Sequence, residues 1–358
     1  MKLIWKGNLF NPTGIATAYR ELVRALLKKG VRVQASDIWH SGYEFNKGLE
    51  VLNYPIDAKT VDYTIFADYP QFWRDGYGKI VTHFLHEGTR LPEGWSQILN
   101  TADLVMVPSQ ATKNLFRING IMNKIKIVPF GVNDLYKPVI QENQDFIFLF
   151  VNSWTGEKGD RKGTDILIKA FNEEFRPDEK VKLVLKISTF WRKQSIEFYI
   201  QKIQELLGKS KPNNILLNVD YIPEDKLVEH YQNADCFVMP TRSESFGLTA
   251  INAMACGLPL IITKDNNSGY MDFCRGKDSV LWIDAPNMEQ ADRHFYVEGN
   301  LQPIPDIESL KKQMRYAFEH RELKEKAIKN SEEIRKNWTW SASADKFIKV
   351  LKDNFNDK

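Results

Sequence analysis

The stretch from Cys236 to Thr263 constrains this chain most, because from Glu244 to Lys264 it runs without a single charged residue in between. Cys236 to Met239 is a short apolar run closed by Pro240, the pattern of a strand buried on both faces. A helix follows from about Gly247, Gly257 and Pro259 end it, and Leu258 to Ile262 supplies a second buried strand. The unit is βαβ, and a helix with no charged face must lie inside or against other protein. Ser245, Thr249 and Asn252 fall at i, i+4 and i+7, which predicts one polar stripe, and Glu244 stands in the loop before the helix. A carboxylate at the carboxyl end of a parallel strand, beside a helix N-terminus, is where open α/β sheets bind ligands and phosphates. The same spacing also fits a Glu244 that only caps the helix and a stripe that touches buried water.

At 358 residues the chain exceeds one ordinary core, which predicts two α/β domains. Apolar residues at 43% and charged residues at 27% describe a soluble globular protein, and no apolar run approaches membrane-spanning length. Leu3-Ile4-Trp5 before Lys6 is too short for a signal peptide, so the expected location is the cytoplasm. Cys236, Cys256 and Cys274 share no metal-ligand spacing and read as reduced structural thiols. A net charge of +3 does not argue for nucleic acid. Basic residues gather toward the C-terminus, either as a plain solvated helix face or as a peripheral contact with anionic lipid at the inner membrane face.

Read in order, Lys2 to Lys6 is a strand, Gly7 to Gly14 a loop rich in turn residues, and Ile15 to Lys29 a helix. The loop lacks G-x-G-x-x-G, so a nicotinamide fingerprint is not supported. Val31 to Ala35, Tyr63 to Ala67 and Ile80 to Leu85 continue the strands. Alternation puts His83 and Leu85 on one face and Phe84 and His86 on the other. A single His in a strand is usually a satisfied core residue, but His86-Glu87 is a pair of ionisable groups at a strand-to-loop junction, placed to meet substrate. Lys137 to Asp145 is polar, holds Pro138 and marks an interdomain linker. Phe146 to Val151 then opens a second domain as an apolar strand, followed by a glycine-rich loop from Asn152 to Thr164 that lacks Walker spacing. On chemistry alone Lys162 in that loop is either a solvated turn charge or an anion ligand.

The segment from Glu244 to Pro259 resembles the donor-binding signature of retaining glycosyltransferases of family 4. Glu244, Phe246, Gly247, Ala253, Met254, Ala255, Gly257 and Pro259 match it. Ser245 stands where Gly is usual, and Asn252 where the family carries a second Glu that accepts hydrogen bonds from the nucleotide ribose. Glu87 to Trp95 resembles a segment of the cleft wall near the transferred sugar, where many members carry a catalytic His. Whether His86 or Glu87 fills that place is open. Ala102 to Val132 follows the family's strand, Pro-Ser, helix and strand, with Asn133 in place of an Asp. The loop Arg161-Lys162-Gly163 resembles one whose Lys contacts the donor diphosphate. The family's Arg after the preceding strand is replaced by Asn152 or Ser153, and Lys186 could supply its charge.

The resemblance implies an α/β protein of two facing Rossmann-like domains, the GT-B type, with the donor cleft between them. Residues 1–138 would form the acceptor-side domain, completed by a crossing helix over 338–358, and 139–337 the nucleotide-sugar domain. The implied activity is transfer of a hexosyl group, with retention, from a nucleotide-diphosphate sugar to a glycan, lipid-linked or other hydroxyl acceptor. His86, Glu87 and Glu244 are the catalytic candidates. Gly14, Lys162, Lys186, Tyr221, Ile222, Ser245, Phe246, Gly247, Leu248, Thr249 and Asn252 are the donor-binding ones. No Asp-x-Asp occurs, so neither a metal nor a cofactor is expected beside the donor substrate. A non-catalytic homologue that binds sugar nucleotide or a partner enzyme is the alternative, and a sugar phosphorylase a third.

Overall fold

In the first half of the chain, β1 (Lys2–Gly7) leads into α1 (Gly14–Lys28), followed by β2 (Arg32–Ser36), β3 (Tyr63–Ala67) and β4 (Lys79–His83). The short α2 (Trp95–Leu99), β5 (Leu104–Val107), α3 (Gln110–Ile118) and β6 (Ile125–Ile127) complete it. The structure is a computed structural model that describes residues 1–36, 49–141, 143–154, 160–190, 194–208, 210, 212, 214–291 and 298–355. The first sheet has the order β2-β1-β3-β4-β5-β6 with every pair parallel. Its order reverses between β1 and β3, so the loops after those two strands diverge and leave a crevice at their carboxyl ends.

The second sheet is built from β7 (Phe146–Ser153), α4 (Thr164–Glu174), β8 (Val181–Ser188), α5 (Ile196–Leu207), β9 (Ile215–Asn218), α6 (Glu224–Gln232) and β10 (Cys236–Met239). It continues through α7 (Leu248–Ala255), β11 (Leu260–Thr263), α8 (Met271–Cys274) and β12 (Val280–Ile283). All its pairs are parallel, in the order β12-β11-β10-β7-β8-β9. Counted from β7 this is the doubly wound order of a Rossmann domain, with its switch point between β7 and β10. An antiparallel pair, β13 (Asn287–Gln290) and β14 (Leu301–Ile304), precedes α9 (Ile307–Glu319) and α10 (Leu323–Asn337). The last helix, α11 (Trp340–Phe355), returns to the first sheet, with Phe347 on Trp5 and Lys29 paired to Asp345 at 2.7 Å.

The uncharged helix lies where its composition requires. Ala250, Ile251, Ala253, Met254 and Ala255 of α7 are buried. Phe246, just before it, packs edge-on against Phe130 of the first domain and tilts against Trp338, so an apolar seam joins the two sheets below the cleft. Cys236, Cys256 and Cys274 are free and buried, and burial pushes the Cys256 thiol up to about 12. No helix among the described residues is long and apolar enough to cross a membrane.

Candidate active site

The loops at the second switch point are pinned to each other before any side chain enters the cleft. The Asp160 carboxylate accepts from the backbone N–H groups of Lys162 (2.9 Å) and Thr164 (2.8 Å), turning the chain into α4. Gly163, the residue before α4, has φ +72°, and a methyl there would overlap the Pro240 carbonyl, so only glycine fits between this loop and β10. The Arg161 carbonyl accepts from the Arg242 N–H at 2.7 Å and the Thr241 hydroxyl at 3.1 Å. Arg242 is itself buried between Asp165 (3.2 Å) and Glu289 (2.7 Å).

This framework directs two cations at one carboxylate. Lys162 forms an ion pair with Glu244, and Arg161 lies 3.5 Å from the same oxygen, Oε1, while donating to the Ser243 carbonyl at 2.7 Å. Arg161 also reaches Glu87 of the first domain at 3.4 Å. Burial pushes the Lys162 ammonium below its ordinary value and the neighbouring Arg161 adds to the fall, while Glu244 opposes it. Burial would raise the Glu87 carboxyl, but Arg161, His86 and Lys162 outweigh it and hold Glu87 below the ordinary value. Glu87 is therefore ionised at neutral pH, an acceptor and not a proton donor. Asn152, at the carboxyl end of β7, is buried with its Nδ2 lacking a partner among the described residues.

On the first-domain wall, the loop after β1 is wired by its own polar groups. Arg20 donates to the carbonyls of Leu9 and Asn11 at 2.6 Å, the Thr13 hydroxyl to Asn11 Oδ1, and Asn8 to Asp68 at 3.4 Å. Gly14 at the start of α1 is exposed, with open space where a side chain would project. Alternation along β4 holds beyond its end. His83 packs on Tyr19 and Phe130 with Nε2 2.8 Å from the Val128 carbonyl, and burial pushes it down to about 4. Phe84 and His86 both lie against Trp95 on the other face. His86 Nε2 is 3.1 Å from the Arg90 carbonyl, and burial lowers its pKa. Of the two candidates at this junction, Glu87 enters the charge cluster and His86 faces the aromatic packing.

The two walls touch directly. Ser109, the N-cap of α3, donates to the Ser245 carbonyl at 2.7 Å, Gly88 N–H donates to Ser243 Oγ at 2.9 Å, and Gln110 N–H to Asp272 at 2.9 Å. Ser245 therefore belongs to the interdomain contact. It precedes the helix, which corrects the expected stripe: only Thr249 and Asn252 lie on α7. Gly247 ends the loop at φ +93° and Leu248 opens the helix. The Thr249 hydroxyl is directed at Met239 Sδ, and Asn252 stands beside the Tyr231 hydroxyl.

The structure thus groups Glu87, Lys162 and Glu244. Lys186, at the end of β8, donates its ammonium to the Ile187 carbonyl at 3.2 Å, and burial lowers it to about 8 while Asp220 opposes the fall. The second cation at the cluster is Arg161, which sequence reasoning passed over although it adjoins Lys162. Tyr221 is exposed and stands near Arg20, and Ile222 after it is half-buried. Thr155 to Gly159 of the glycine-rich loop and 356–358 of the terminal helix lie outside the described residues.

The fold is two parallel α/β sheets, with Arg161, Lys162 and Glu244 at the second switch point and Glu87 reaching them from the loop after β4. Residues 135–334, more than half of the chain, match the family described as glycosyl transferases group 1. The chain belongs to this family. A D-inositol 3-phosphate glycosyltransferase of Corynebacterium diphtheriae is 25% identical over 279 residues, 72% of this chain and 57% of that protein. A glycosyltransferase of Methanocaldococcus jannaschii is 26% identical over 243 residues, 67% of this chain and 56% of that one. The chain spans little more than half the length of these relatives. Sucrose-phosphate synthase from Thermosynechococcus elongatus superposes with a TM-score of 0.72 at 17% identity, over 99% of both chains. WaaG, a glycosyltransferase involved in lipopolysaccharide biosynthesis, gives 0.66 at 13% identity over the whole of both. These likenesses show the fold, two facing Rossmann-like domains of the GT-B type.

Proposed function

We propose that the protein transfers a sugar from a nucleotide-diphosphate sugar to a hydroxyl acceptor, a glycan or a lipid-linked saccharide, with retention of configuration. The observation that carries this reading is the Glu244 carboxylate, held by Lys162 and Arg161 at the second switch point and faced by Glu87 from the other domain. Both cations pair with Glu244. A bound diphosphate would draw them away, and the freed carboxylate would accept from sugar hydroxyls. Lys162, Arg161, the Asn152 amide and the backbone N–H groups opening α7 would then stabilise the charge that develops on the leaving diphosphate.

Retention requires the acceptor oxygen to bond to the anomeric carbon on the face that the diphosphate leaves. The acceptor proton passes to the departing phosphate oxygen. Glu87, ionised and on the acceptor wall, orients the incoming hydroxyl by accepting its hydrogen bond. The diphosphate is neutralised by side chains in this scheme, with no metal ion required.

Asn252, beside Tyr231 where the resemblance places a ribose-binding Glu, favours a second reading, a homologue that binds sugar nucleotide without transferring it. A panel of sugar nucleotides differing in base and in sugar separates the two: turnover of one donor to free nucleoside diphosphate supports transfer, and tight binding with no turnover across the panel supports the second reading.

A further inference from the structure

The loop Gly88 to Leu91, directly after Glu87, is held from three sides. In its own domain Asn119 Nδ2 donates to the Thr89 carbonyl at 3.1 Å, and Asn119 Oδ1 accepts from Leu91 N–H at 3.0 Å. Ser243 takes the Gly88 N–H from across the cleft. The third hold comes from the antiparallel pair β13–β14, an element of the second domain far from α7 in sequence. Asn300, 0% exposed, accepts through Oδ1 from the backbone N–H groups of Thr89 (2.6 Å) and Arg90 (3.1 Å). Leu301 N–H donates to the Thr89 hydroxyl at 2.8 Å, and Arg90 reaches the Glu298 carbonyl at 3.4 Å. Gly88 has φ +94° and any side chain there would overlap the Asn300 amide, so the approach is backbone to side chain with nothing between.

We propose that Asn300 is a positioning residue for the Glu87 loop, by which the donor domain completes the acceptor wall. The argument is one of supply. Among the described residues the backbone donors of Thr89 and Arg90 meet no acceptor of their own domain, and a part-buried N–H left unpaired is destabilising. Asn300 supplies the acceptor for both, and the Arg90 carbonyl in turn meets His86 Nε2 at 3.1 Å. The geometry of His86 and Glu87 therefore depends on an element of the opposite domain, and the acceptor wall is fully formed only with β14 seated. Asn300 lies outside the cluster of Lys162 and Glu244 and acts through the loop.

The proposal rests on the transfer reading for its catalytic consequence but not for its structural one, and the test separates them. In the full chain, Asn300→Ala removes the shared acceptor, so amide hydrogen exchange at Thr89 and Arg90 should accelerate roughly 10- to 100-fold, the equivalent of two hydrogen bonds. With a donor that the wild type turns over, kcat should fall by a similar factor while the donor dissociation constant stays within about twofold. Asn300→Asp keeps the acceptor oxygen and should restore the exchange protection. Should Asn300→Ala fail to fold, Thr89→Val removes the hydroxyl that accepts from Leu301 N–H and donates to Asn300 Oδ1 at 3.3 Å, and a smaller loss of kcat is expected at unchanged donor affinity. Unaltered exchange at both amides overturns the proposal, and so does a loss of donor affinity as large as the loss of kcat, which would place Asn300 against the donor. Accelerated exchange in a protein whose wild type turns over no donor leaves the positioning role standing and sinks the transfer reading instead.

Discussion

Glu87 and Glu244, on opposite walls of the cleft and in different domains, share one cation: Arg161 stands 3.4 Å from the first and 3.5 Å from the second. Two carboxylates brought this close without a cation would repel, so the guanidinium is what allows both walls to present acceptors to the same space. In the proposed transfer, this arrangement would set acceptor groups opposite cations that meet the leaving diphosphate.

Removing that cation should change how Glu87 titrates. Its carboxyl is held below the ordinary value, so its contribution is present above the unfolded carboxylate pKa and lost as pH falls through the folded one. In Arg161→Ala the main opposing influence on burial disappears and the Glu87 pKa should rise. The acid limb of kcat/KM should then move to higher pH, or carboxyl NMR shifts should report the change directly. An acid limb that stays in place would show that Glu87 is set by other neighbours.

Lys162 should matter to both chemistry and folding. Lys162→Ala should lose roughly 2–4 kcal/mol of transition-state stabilisation, the loss typical of one preorganised electrostatic donor. It also leaves Glu244 with Arg161 alone, so stability should drop by about 1–3 kcal/mol, the range for a buried group losing a partner. Steady-state kinetics and denaturant unfolding measure the two effects separately. Unchanged kcat/KM would remove Lys162 from the site.

Charge neutralisation by side chains predicts that turnover survives chelation. Among the described residues no three His, Cys, Asp or Glu side chains are grouped to hold a metal ion. Activity abolished by excess EDTA and restored by Mg²⁺ or Mn²⁺ would relocate the source of diphosphate neutralisation from Lys162 and Arg161 to an ion.

Much of this was legible in the chain because the signals were local. The uncharged run through α7 could only be a buried helix, and Glu244 and Lys162 each stand one loop beyond a continuous apolar strand. The sharing of Arg161 was not legible, because it joins residues from three loops and two domains, although its place beside Lys162 pointed to it. Lys186 is legible only as a Lys at a strand end, one strand beyond the switch point, where β8 lies between β7 and β9. The pair β13–β14 left no trace in the pattern. Its strands carry Pro303 and little apolar alternation, and are held by each other and by the docking of Asn300, a contact spanning more than two hundred positions.

A pH dependence should also appear at the seam between α1 and α6. Burial pushes the Glu224 carboxyl up to about 7, with Glu21 and Asp225 adding to the rise and Arg20 and Arg24 opposing it. A carboxyl raised in the folded state contributes stability below its unfolded pKa and loses it as pH climbs through the folded value. The midpoint of thermal unfolding should therefore fall between about pH 5 and pH 7, by the equivalent of about 1–2 kcal/mol once partial exposure is allowed for. Glu224→Gln should flatten that slope. A slope unchanged in the variant would assign the titration to another group.

Asn252 is the sharpest departure from the family pattern, and its position beside Tyr231 on α7 sets what substitution there can do. If its amide accepts from the ribose of a bound nucleotide, Asn252→Glu should tighten donor binding by on the order of 1 kcal/mol, because hydrogen bonds to a charged acceptor are stronger than to a neutral one. The surroundings reduce the gain. The new carboxylate would lie on a helix without charges beside the buried Tyr231, so desolvation opposes it. Asn252→Ala should weaken binding without unfolding the protein, since alanine suits a helix interior and the position is only half-buried. Titration calorimetry with the nucleoside diphosphate decides between the readings. If neither variant alters affinity, position 252 does not meet the ribose, and the nucleotide must be held from the other side of the cleft.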